Sequence, residues 1–289
     1  MLKKLLKYDM RAVSGLWWIG AVISVAAAVV GAFLIRFFTY VNQLEEPNVI
    51  LSMASILGAL VAIFCILAIF LAFVFTVVLV FVRFYKNFFT DEGYLTFTLP
   101  VKRSTLLFSK MVNATVWFSA HFGVIVLSAL LFVLLVWPPE ADGFFINFAV
   151  FKNIGEWFVR EWDRLGAWMI VYDLVAFLLL FVFLQIYIVL FHFCITVGAM
   201  LAKKAKVILA IGIYYAFSWI FATVGQFSVV IFAAFMADGM MTLMENATQN
   251  QTHAVYALAA LAFTAFLASV VAVLYSVTQY LLDRKLNLA

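Results

Sequence analysis

The chain has 289 residues, of which 68% are apolar and 11% charged, and its mean hydropathy is +1.16. That leaves too little polar surface to solvate a water-soluble globule, and beside six spans of about 20 residues there is no room for a soluble domain of ordinary size. The net charge of +4 sits in short basic clusters beside apolar runs, which speaks for topology signals and against a nucleic-acid-binding face.

Apolar runs long enough to cross a bilayer are predicted at 16–38, 51–82, 111–137, 167–200, 207–236 and 254–280. Before the first, Leu2, Leu5, Leu6 and Met10 fall on one helical face with Lys3, Lys4, Lys7 and Arg11 around the other, the pattern of a short interface helix over 1–15. The first run is too long for the apolar core of a secretory signal, so it reads as a retained helix. Between the third and fourth runs, 138–166 begins at Trp137-Pro138-Pro139 and mixes Glu140, Asp142, Glu156, Glu161 and Asp163 with three basic residues, Trp157 and Trp162. It reads as an extracellular interfacial cap. The fifth run exceeds what a straight crossing needs. Either it is a long tilted helix, or a helix ends near Gly225-Gln226 and 227–253 holds a re-entrant hairpin and outer loop.

Fourteen of the eighteen basic residues fall on one side of this scheme: Lys3, Lys4, Lys7, Arg11, Arg83, Lys86, Lys102, Arg103, Lys110, Lys203, Lys204, Lys206, Arg284 and Lys285. Only Arg36, Lys152, Arg160 and Arg164 fall on the other, which puts both termini in the cytoplasm. The fold expected is an all-α polytopic membrane protein, with 1–289 forming one transmembrane domain of six helices and no internal repeat. Cys65 and Cys194 lie in separate apolar runs and read as buried free thiols.

The segment 83–110 is charged and turn-bearing within this apolar chain. Phe84, Tyr85, Phe88, Phe89, Glu92 and Leu95 follow helical spacing, Gly93 is read as the residue that stops the helix, Pro100 as a second break, and Ser104 as the N-cap of the third span. Asp91-Glu92-Gly93-Tyr94-Leu95, then Leu99-Pro100-Val101-Lys102-Arg103, then Leu106-Leu107 and Lys110 resemble the cytoplasmic signature of ABC-2 type transporter permeases, of the type V exporter kind. Lys102 stands where that pattern usually has serine and Tyr94 where it has threonine. The resemblance implies a bacterial plasma-membrane exporter subunit for an amphipathic cargo such as a peptide, lipid-linked molecule or drug. It also implies pairing with a second permease copy, identical or related, and docking of an ATP-binding cassette subunit on a coupling helix within the cytoplasmic segment 83–110, with Asp91, Glu92, Gly93, Tyr94, Leu95, Leu99, Pro100, Val101, Lys102, Arg103 and Lys110 as the coupling residues. Tyr94, Phe97 and Leu99 are then the anchors and the neighbouring charges a polar rim.

The chain has no Gly-x-x-x-x-Gly-Lys-Ser/Thr segment, so ATP and Mg are expected on the partner, and neither enzyme activity nor a cofactor is expected here. His121, His192 and His253 lack metal-ligand spacing. Asp173, six residues into the fourth span, either pairs with Arg36 or Arg164 or faces a translocation path. Gln185 and His192, seven apart on one face, and His121 in the third span either line such a path or bond to neighbouring helices. An ion-coupled secondary transporter would call for more intramembrane carboxylates. A non-transporting sensor or scaffold would use the same loop without a path.

Overall fold

The computed structural model describes residues 2–44, 48–136, 149–202, 205–244 and 248–284, and among these the only regular elements are helices. In chain order they are α1 (Leu2–Asn42), α2 (Val49–Phe89), α3 (Asp91–Phe97), α4 (Arg103–Val136), α5 (Ala149–Leu165), α6 (Trp168–Leu201), α7 (Lys206–Met244) and α8 (Gln249–Arg284). Six of them, all but α3 and α5, are long and apolar enough to cross a membrane. Trp137, Pro138, Pro139, Glu140, Asp142, Lys203, Lys204 and Lys285, used above, lie outside the described residues.

Three expectations about boundaries change. The 1–15 stretch is not a separate interface helix: α1 runs unbroken from Leu2 to Asn42, because nothing between Arg11 and Trp17 interrupts its hydrogen bonds and a single Gly15 only weakens a helix. α7 stays helical through Gly225 and Gln226 to Met244, so the helix end that the hairpin alternative places there is absent and the backbone follows the long-helix alternative. The link after it shrinks from 237–253 to four residues, since α8 already starts at Gln249. Thr248 and Gln251 form a reciprocal cap there. The Thr248 N–H donates to Gln251 Oε1 at 2.8 Å, and the Gln251 N–H donates back to Thr248 Oγ1 at 3.4 Å.

The chain folds as two compact units. One comprises Met1–Arg83 and Val112–Glu161, the other Phe84–Met111 and Trp162–Ala289. In the first, α1 offers a seam of small residues, with Gly20, Ala21, Ser24, Ala28, Gly31 and Ala32 all buried. A methyl placed on Gly31 would approach Cys65 Cβ to 3.2 Å, and one on Gly20 the carbonyl of Ala72 to 3.4 Å, so α1 and α2 pack backbone to backbone. Apolar side chains gain nothing by leaving lipid tails for one another, and such close dispersion contact is what associates helices there. In the second unit α6 packs against both α7 and α8. The α6–α7 contact is tighter still, for a methyl on Gly198 would fall 2.7 Å from both Cβ and the backbone nitrogen of Ala210.

Candidate functional site

The boundary of the second unit falls almost on the ends of the charged segment. Phe84–Met111, which includes the last turn of α2, all of α3 and the first turns of α4, belongs with α6, α7 and α8.

α2 ends at Phe89 and the helix is interrupted at Thr90, whose backbone is extended. Gly93 is therefore not a stop, as the sequence suggested, but lies buried inside α3. Its absent side chain is what the corner requires, since a Cβ there would sit 2.9 Å from the Phe88 carbonyl oxygen. The Gly93 N–H donates to the Thr90 carbonyl at 2.7 Å, closing the turn. α3 lasts only to Phe97. The residue before a proline is steered away from helical backbone, and the Val101 N–H donates to the Leu99 carbonyl at 2.7 Å, a tight turn about Pro100. α4 then begins at Arg103. Ser104 lies within the helix and does not cap it; the Lys102 carbonyl accepts the first bonds, from the Thr105 and Leu106 N–H groups at 2.9 and 3.2 Å.

Two sets of polar contacts hold this corner. With its amide oriented to satisfy both neighbours, the buried Asn87 donates to Glu92 Oε2 at 2.8 Å and accepts from the Lys110 ammonium. One amide thus joins the ends of three helices, and a buried ammonium obtains an acceptor, without which its burial would be expensive. On the other side Arg103 donates to the carbonyls of Leu282 and Asp283, the latter at 3.1 Å, and lies 5.0 Å above the ring of Phe97. The last carbonyls of a helix have no partner within it and carry its negative dipole end, so a guanidinium fork there both bonds and neutralises. The Tyr275 hydroxyl donates to the Ser104 carbonyl at 3.2 Å, a second tie to α8. Towards α6, the rings of Phe84 and His192 meet edge to face at 4.2 Å.

The structure divides the residues named from the sequence into two groups. Asp91, Tyr94, Leu95, Leu99, Pro100 and Lys102 are exposed, and Asp91, Tyr94 and Leu95 share one face of α3. Gly93 and Lys110 are buried, Val101 and Arg103 half-buried, and Glu92, though exposed, is held by Asn87. Phe97 is not an outward anchor: it stacks edge to face on Phe88 at 5.5 Å beneath Arg103.

Asp173, Gln185 and His192 lie on α6 in the second unit, and His121 lies on α4 in the first. Asp173 is exposed and makes no ion pair with Arg164 among the described residues. Gln185 is half-buried. His192 is fully buried and donates from Nδ1 to the Ile188 carbonyl of its own helix at 2.6 Å. His121 belongs to the first unit, where Nδ1 meets the Thr76 hydroxyl at 2.8 Å and the ring lies among Trp17 and Phe73. The described residues hold no group of three or more His, Cys, Asp or Glu suited to a metal ion, and the two cysteines are free, Cys194 buried and Cys65 half-buried.

No family model, curated protein or solved structure matches the chain. The site is therefore read from its own geometry.

Asn87 and Tyr275 are the members that sequence reasoning missed. The polar neighbours Lys86, Thr90 and Asp91 place Asn87 on the solvated side of its helix when the sequence is read alone. The available signal was Lys110 itself, a basic residue next to an apolar run that requires an acceptor wherever it is buried.

Proposed function

We propose that this chain is the membrane subunit of an ATP-driven exporter of the ABC-2 permease type, working as two copies or with a related partner chain in a bacterial plasma membrane. In this reading both termini are cytoplasmic, α3 is the coupling helix, and a separate cassette subunit binds ATP and Mg. The cargo is amphipathic: a peptide, a lipid-linked molecule or a drug. The reading rests on the resemblance of Asp91–Lys110 to the permease signature and on the basic bias that assigns this segment to the cytoplasm.

The observation that carries it furthest is that the segment has an outward face and an inward one. Asp91, Tyr94, Leu95 and Leu99 stand out from the core and suit a partner's groove, while Gly93, Arg103 and Lys110 fasten the same short helix to α2, α4 and α8. A stroke delivered to α3 then moves long helices instead of being absorbed in a loop.

The test is co-expression of the full chain with the genes that neighbour its own. Wild type is expected to co-purify and to stimulate ATP hydrolysis, and the double variant Tyr94→Ala/Leu95→Ala to lose at least tenfold in association while remaining folded. Failure of wild type to bring down any cassette subunit, or full association by the double variant, would remove the proposal.

A further inference from the structure

We infer that α5 is an in-plane membrane anchor that lies in the headgroup region of the bilayer and binds it without selecting for lipid charge. Gly166 sets the end of α5. Its φ of +56° is a left-handed conformation open to glycine at little cost, and its N–H closes α5 on the Trp162 carbonyl at 2.7 Å. Its carbonyl accepts from the Met169 N–H at 3.1 Å within the first turn of α6. Only Gly166 and Ala167 separate α5 from α6, so the end of α5 is fixed at the end of a helix long and apolar enough to span the membrane.

At about 100° per residue, Phe151, Ile154, Phe158, Trp162 and Leu165 of α5 fall within roughly 80° of one another. The first four are 48, 51, 51 and 42% exposed. An apolar face of this size at a membrane boundary has the acyl–headgroup border as its nearest apolar solvent, and Trp prefers that depth because its ring is amphipathic. The far side of the helix carries Lys152, Asn153, Glu156, Arg160, Asp163 and Arg164. Glu156 pairs with Lys152 at 4.0 Å and with Arg160 at 3.8 Å. Counting Glu161, α5 has three acidic and three basic side chains. It lacks the basic excess by which amphipathic helices favour anionic lipid, so insertion of the apolar face supplies the binding.

This inference holds whether or not an ATPase partner exists, and its test is independent of one. In full-length protein carrying Cys65→Ser and Cys194→Ala, a fluorophore is attached at Phe158→Cys, with Phe151→Cys as a second apolar-face position, and at Arg160→Cys. The protein is placed in vesicles of phosphatidylcholine with and without one quarter phosphatidylglycerol. Brominated phosphatidylcholine is expected to quench the 158 and 151 labels at least threefold more than the 160 label, and aqueous iodide to do the reverse. The two vesicle types are expected to agree within twofold. Iodide quenching at 158 equal to that at 160 would place the face in water, and shielding of 158 and 151 from both quenchers would place it against protein. Either result overturns the inference, as does lipid quenching that appears only with phosphatidylglycerol.

Discussion

Two joints of the molecule, the α1–α2 seam of the first unit and the Phe84–Met111 corner of the second, hold helices together in different ways. In the first, α1 and α2 meet through Gly20, Gly31 and their small neighbours. Trp17 Nε1, Trp117 Nε1 and His121 Nε2 have no hydrogen-bond partner among the described residues. In the second, the corner at Phe84–Met111 is fastened by a lysine–asparagine–glutamate relay and an arginine cap on α8. Packing by small residues permits sliding with modest change in energy, whereas directional, charge-assisted bonds hold one geometry. The force-transmitting role proposed for this segment calls for the second kind of joint.

Substitutions can break or sharpen this contrast, beginning with the largest expected effect. Gly198→Val has no space beside Ala210, whose backbone nitrogen would lie 2.7 Å from the first added carbon, and overpacking of this kind costs about 3 kcal/mol. It should lower the thermal unfolding midpoint in detergent more than any change at the α1 seam. Asn87→Leu removes the acceptor from the buried Lys110 and the donor from Glu92, a loss of about 2 kcal/mol on the scale of hydrogen bonds to charged groups. Faster amide exchange over 91–97 in that variant would show that the relay holds the corner; unchanged exchange would show that packing alone suffices. Trp117→Phe removes a donor that has no partner among the described residues, and should cost only about 1 kcal/mol, from the smaller ring packed against Trp17. A large loss there would mean that the polar groups of the first unit matter as much as those of the second.

The six long helices were legible in the sequence because length and apolarity alone decide them. The break between the second and third spans was also legible, since Pro100 and the charges around it cannot continue an apolar helix. The details depended on what the chain folds against. Gly93 looked like a stop because glycine often ends helices, yet it serves to let α3 approach the Phe88 carbonyl. Arg103 looked like part of a docking rim, but it reaches a helix end some 180 residues away, a partner that local spacing cannot reveal.

The proposal that α3 passes its motion to α8 through Arg103 is tested most directly by hydrogen exchange on the full chain with the proposed cassette partner in lipid nanodiscs, with and without ATP and Mg. The account predicts nucleotide-dependent changes in both 91–99 and 275–284 for wild type. In Arg103→Gln the change at 91–99 should persist while that at 275–284 falls at least threefold. Equal responses at 275–284 in wild type and variant would contradict it.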